Sequence, residues 1–154
     1  MIGPPEFVHI DMKDTEIPAI AFTYMGRGEV IWIPWDLGGM YYRTSLPAHA
    51  GVFRDVVQRL HPMRQIVTDA HPLVEMTLMH QKDRTLLHLV NLSGHSQTGY
   101  FSPIPMRDIR VKVADSYRTA KTVRSPGSLP IQSIPSYSEL VVPQLRDYEL
   151  VVLQ

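Results

Sequence analysis

Trp35, Asp36, Tyr41, Tyr42 and Arg43 fall within one short stretch and are the residues best equipped to hold a ligand. Aromatic faces stack on sugar rings, and a flanking carboxylate and guanidinium can take the ring hydroxyls, so the chemistry they suggest is carbohydrate binding. The competing reading makes Trp32 part of a core and packs Trp35, Tyr41 and Tyr42 against the following helix or a neighbouring domain. Asp36, just past a strand end, weighs more toward a turn or cap than toward catalysis.

Other chemistries find less support. Seven histidines are present, but none falls in a helical ligand pair of the His-Glu-x-x-His kind. His80 and His88 lie on opposite arms of a predicted hairpin whose register sets His80 opposite Thr85 and His88 opposite Thr77, so they are not cross-strand neighbours. No metal site is expected. His61-Pro62 and His71-Pro72 read as punctuation between elements. Leu92-Ser93-Gly94-His95-Ser96 does not match the Gly-x-Ser-x-Gly elbow of a nucleophilic serine. Gly26-Arg27-Gly28 sits between two strands and opens no helix, so it is a turn and not a phosphate cradle. Asp36, Asp83, Asp108, Asp115, Glu139, Asp147 and Glu149 are spread over expected loops and strand ends, and no pair can be nominated for glycoside hydrolysis. No catalytic residue and no cofactor is expected in this chain.

Composition narrows the partners. Fifteen Lys and Arg balance fifteen Asp and Glu, and the pI is near 7.1. No global field holds a polyanion or an anionic membrane, so neither nucleic acid nor membrane is an expected partner. There is no cysteine, which removes disulfides, thiolate nucleophiles and iron–sulfur clusters. No apolar run approaches the roughly 20 residues of a membrane span, and the start lacks the basic segment and apolar core of a signal peptide. The expectation is a soluble chain whose compartment stays open. At 154 residues it has room for one domain or two small ones.

The elements that must position these residues are mostly strands. Thirteen prolines are spread along the whole length, which suits short strands better than long helices. After an opening Gly3-Pro4-Pro5-Glu6, Ile20 to Tyr24 and Glu29 to Pro34 flank Met25-Gly26-Arg27-Gly28, predicting a β-hairpin. Gly38-Gly39 should then release the chain into a loop carrying Met40 to Arg43. Ser45 reads as the cap of a helix with Pro47 in its first turn. Val52, Phe53, Val56, Val57 and Leu60 form its apolar face, and His61-Pro62 ends it. A charge at Val56 should therefore cost several kcal/mol.

From Gln65 onward only strands are expected: Leu73 to Gln81, Arg84 to Leu92, Ile109 to Ala114, Thr119 to Val123, Leu140 to Val142 and Tyr148 to Leu153. Lys82-Asp83 fits a two-residue loop pairing Gln81 with Arg84 and Glu75 with Val90. Gly94 to Pro105 reads as a loop. The fold expected is mainly β: a small antiparallel β-sandwich over residues 63–154, preceded in 1–62 by a β-hairpin and an amphipathic helix. One hairpin and one helix bury little apolar surface, so the first segment looks incomplete by itself.

The run Ile17-Pro18-Ala19, then Tyr24-Met25-Gly26-Arg27-Gly28-Glu29-Val30-Ile31-Trp32-Ile33-Pro34-Trp35-Asp36-Leu37-Gly38, and the helix ending at Leu60, resembles the last part of the amidotransferase-like domain of some glycoside hydrolases. That domain is similar to the β-galactosidase trimerisation domain and follows a catalytic barrel. Leu86 to Ser93 and Asp147 to Leu153 resemble the C-terminal β-domain of the same enzymes. The resemblance implies that residues 1–62 are the remnant of a flavodoxin-like α/β domain, that Met1 is a truncated start, and that the catalytic carboxylates lie in an upstream barrel. It implies a non-catalytic C-terminal region supporting assembly and stability of that barrel. The upstream catalytic domain is then the first partner, with a second copy of the chain and a carbohydrate as further candidates. The alternative is a stand-alone carbohydrate-binding or protein-interaction β-sandwich module.

Overall fold

The computed structural model describes residues 16–96 and 98–154; the opening Gly3-Pro4-Pro5-Glu6 lies outside them. The chain divides into two units, Met1–Met63 and Arg64–Gln154. In the first, β1 (Ala21–Met25) and β2 (Gly28–Trp32) form the antiparallel hairpin, with Ala21 opposite Trp32. Gly26 takes a φ of 60°, the left-handed conformation that this tight turn requires.

The stretch expected as a loop is instead a helix, α1 (Leu37–Thr44). The paired glycines do not break it, because the Asp36 carboxylate caps it, accepting from the Gly39 backbone N–H at 2.9 Å. A side chain at Gly39 would run into that carboxylate, so the cap requires a small residue there. A second correction follows from this helix. Ser45, read as an N-cap, closes α1 in a left-handed conformation (φ 51°) and donates its backbone N–H to Tyr41. The next helix, α2 (Pro47–Leu60), starts from Leu46 with no side-chain cap, Pro47 supplying the preset φ of a first turn. It ends at His61 as expected.

The second unit is all β. In chain order its strands are β3 (Ile66–Thr68), β4 (Val74–Gln81), β5 (Arg84–Asn91), β6 (His95–Ser96), β7 (Gly99–Tyr100), β8 (Met106–Ala114), β9 (Ala120–Thr122), β10 (Gly127–Leu129), β11 (Gln132–Ile134), β12 (Tyr137–Leu145) and β13 (Tyr148–Leu153). They form a five-stranded sheet in the order β10-β9-β13-β5-β4, a four-stranded sheet in the order β11-β12-β8-β3, and a separate β6–β7 pair. The β4–β5 register is the expected one, with Gln81 opposite Arg84, Glu75 opposite Val90 and His80 opposite Thr85. Lys82 adopts φ 52°, which suits a two-residue hairpin turn.

Period-2 alternation builds the core. Leu87 and Leu89 of β5 and Val151 and Leu153 of β13 pack with Ile109, Val111 and Val113 of β8 and Leu140 and Val142 of β12. Pro143 interrupts that alternation, falling between Val142↔Ile109 and Gln144↔Arg107, beside Asp108 with φ 54°. Beyond it, Leu145 and Met106 turn inward. The expected loop from Gly94 to Pro105 holds the small β6–β7 pair, and a side chain at Gly94 would meet the Phe101 backbone.

Candidate functional site

Of the residues proposed for sugar binding, Trp35 and Tyr41 each meet a ring of α2, and Tyr42 is open to solvent. Trp35 donates its indole N–H to the Ala19 carbonyl at 2.9 Å and meets His49 of α2 edge-on, with ring centroids 5.9 Å apart. Tyr41 meets Phe53 of α2 in the same way at 6.1 Å. Both rings thus spend an edge on holding α1 and the approach to it against α2, as the competing reading expected of them. Tyr42, one residue on and about 100° around the helix, is 87% exposed. Asp36 caps α1 and meets Arg43 at 3.4 Å, an exposed ion pair within the first unit. Trp32 is not core. It is 56% exposed on the hairpin face opposite Phe22 and Glu29.

The other hairpin face lies against α2. Arg59 donates from Nε to Glu29 at 2.7 Å and sits 4.5 Å over the Phe22 ring. The Glu29 hydrogen bond raises the Arg59 pKa further above its ordinary value. Ile20, Phe22, Val52, Asp55, Val56 and Arg59 line a shallow groove of about 350 Å³. No residue of α2 is buried, and Leu37 is the only fully buried hydrophobic residue among the described residues of this unit.

A second constellation lies at one end of the sandwich. Glu149 was expected at a strand end; it is 2% exposed within β13, on the inward face with Val151 and Leu153. Its carboxylate accepts backbone N–H groups from Val123, Arg124, Ser125 and Leu150 at 2.8–3.1 Å. That set of donors answers the desolvation of a buried charge. Asn91, fully buried, donates from its side chain to the Ile104 and Arg146 carbonyls at 2.8 and 2.6 Å and accepts from Ser93 N–H. Its backbone N–H meets the Asp147 carbonyl, and its own carbonyl accepts from the Tyr100 hydroxyl. Two buried polar side chains thereby tie three loops together: 92–105, the β12–β13 turn and the β9–β10 turn.

On the surface of that junction, Arg124, Ser125, Gln144, Arg146, Asp147, Tyr148 and Glu149 line a depression of about 280 Å³. Backbone N–H groups of Asp147 itself and of Tyr148 hold the Asp147 carboxyl below its ordinary value of 3.8, with Arg124 and Arg146 adding to the effect. Arg124 stands 3.6 Å from Asp147. The Tyr148 hydroxyl is hydrogen-bonded to His88 Nδ1 at 2.8 Å. The strand period carried a signal for this junction, since Asn91 and Glu149 fall on the apolar faces of their strands. What the period does not show is which loops they hold.

Among the described residues, no group of three or more His, Asp or Glu side chains converges as a metal ion requires. No described helix is long and apolar enough to cross a membrane.

Fold and surface together define an antiparallel β-sandwich with a charged depression at one end, alongside a separate hairpin–helix unit. No family model and no curated protein sequence matches the chain. Among solved structures it resembles alpha-L-fucosidase isoenzyme 2 from Paenibacillus thiaminolyticus, with a TM-score of 0.67 at 18% identity over 80% of this chain and 20% of that one. A cycloisomaltooligosaccharide glucanotransferase of Paenibacillus sp., complexed with cycloisomaltoheptaose, aligns with a TM-score of 0.49 at 16% identity over 57% of this chain and 16% of that one. The likeness to the fucosidase is one of fold, and this chain spans about one fifth of that protein's length.

Proposed function

We propose that this chain is the non-catalytic C-terminal region of a glycoside hydrolase, supporting assembly and stability of a catalytic barrel that precedes it. The observation that carries this reading is the first unit's poverty of burial. Its hairpin leaves Phe22, Val30 and Trp32 exposed, and α2 leaves Phe53, Val57 and Leu60 exposed. Such a surface is what a scaffold presents to a neighbouring layer of the same polypeptide or to another copy. The fold likeness to one fifth of the fucosidase's length agrees with a part of a larger enzyme. The amidotransferase-like and trimerisation-like character of residues 1–62 belongs to this proposal.

The test is the intact mass of the native gene product in its source organism. A product far above 17.6 kDa with glycosidase activity is expected. A product of 17.6 kDa overturns the reading and moves a stand-alone binding module to first place. For that second reading Tyr42 is the most exposed of the aromatic set, with the Asp36–Arg43 pair in the same segment. Retention on a polysaccharide that Tyr42→Ala abolishes without unfolding is its signature.

A further inference from the structure

The depression at the β12–β13 turn has the composition of a recognition site and no part in the assembly role. Its wall is charged and polar, with no apolar floor for the hydrophobic anchor that peptide recognition uses. Asp147, its carboxyl held below the ordinary value by the backbone N–H groups of Asp147 and Tyr148, presents carboxylate oxygens suited to a pair of hydroxyls. Arg124 is engaged by Asp147, whereas the Arg146 guanidinium makes no hydrogen bond or ion pair among the described residues. A free planar fork of donors matches a carboxylate in bidentate fashion. Gln144 and Ser125 offer both donors and acceptors on the same wall. At about 280 Å³ the space lies just below the range of roughly 300–1,000 Å³ typical of small-molecule pockets. That is room for a single ring.

One further feature points the same way. The walls are pre-organised, because Glu149 fixes the backbone of residues 123–125 and Asn91 fixes that of residues 146 and 147. Pre-organisation lowers the ordering cost of binding.

We infer that this end of the sandwich binds an acidic saccharide, a uronic acid unit whose carboxylate sits on Arg146 and whose hydroxyls meet Asp147 and Gln144. The inference stands apart from the assembly role, so either can fail alone.

The test titrates the full chain with digalacturonate and with its neutral counterpart galactobiose, following backbone amide shifts by NMR. Expected are shifts confined to residues 123–125 and 144–149 with digalacturonate, and binding about tenfold weaker with galactobiose. Arg146→Ala should weaken digalacturonate binding by about tenfold and leave the core amide pattern unchanged. Arg146→Gln gives the same readout should the alanine variant loosen the turn. Absence of shifts at high millimolar digalacturonate overturns the inference, as does equal binding of galactobiose or affinity indifferent to Arg146. A glutamate-containing peptide that binds as tightly overturns it too, since the site then reads a carboxylate without the sugar.

Discussion

The two units use the same kinds of residue and reach different degrees of burial. In Arg64–Gln154 two sheets face each other, and Leu87, Leu89, Val111, Val113, Leu140, Val142, Leu145, Val151 and Leu153 are all at most 1% exposed. In the first unit the hairpin and α2 carry comparable apolar residues, yet Val52 and Val56 reach only partial burial and Phe22 and Trp32 stay exposed. A sheet covered by a second sheet buries every alternate side chain. A two-stranded hairpin under one helix has one contact face and leaves the other to solvent. Amphipathic pattern therefore states which face wants cover, while the number of layers decides whether it is covered.

Core truncation in the second unit should break this contrast most forcefully. Leu140→Ala, which opens a cavity between β12 and β13's sheet, is expected to cost about 2–5 kcal/mol by urea unfolding followed on the sandwich. A loss below about 1 kcal/mol would mean the two sheets do not pack as described. Next comes the buried acid. Glu149→Gln removes the charge that four backbone N–H groups share and leaves one of them facing an amide donor. A cost of about 1–3 kcal/mol is expected, with faster hydrogen exchange at residues 123–125 as the local mark. Unchanged exchange there would detach Glu149 from the β9–β10 turn.

Val56→Asp sharpens the comparison from the other side. Sequence pattern alone assigns it several kcal/mol, but Val56 lines an open groove and no residue of α2 is fully buried. The expected cost in this chain falls to under about 1 kcal/mol. A several-kcal/mol loss would show that the groove is closed in solution.

The smallest effect is electrostatic. Asp147 has its folded pKa lowered beneath 3.8. Its contribution to stability is therefore present above 3.8 and is lost as pH falls through the lower folded value. Asp147→Asn should therefore lower stability slightly at neutral pH and converge with the parent at low pH, flattening the acid limb, which acid titration of both variants checks.

Much of this was legible in the sequence for local reasons. The first hairpin was readable from its glycine turn and the β4–β5 register from Lys82-Asp83. Alternation exposed the inward face of β8. The difference at residues 37–44 is local too: the Asp36 cap outweighs two glycines, and Ser45 ends one helix where its type suits the start of the next. The short strands β3, β10 and β11 carry too few residues to show a period, and only sheet pairing defines them.

The candidate sites divide in the same way. Clustering in sequence drew attention to Trp35, Tyr41 and Tyr42, but residues adjacent on a helix point in different directions, and two of the three pack on α2. The depression around Arg146 gathers residues from turns more than twenty positions apart. The sequence by itself determined the strand-rich class, the β4–β5 register, the inward face of β8 and the amphipathic helix, because these depend on neighbours a few residues away. Only the tertiary structure decided which apolar faces are covered, what the buried Asn91 and Glu149 hold, and which charges meet at the sandwich end. Those outcomes depend on strand order and on loops brought together by sheet pairing, which no local pattern encodes.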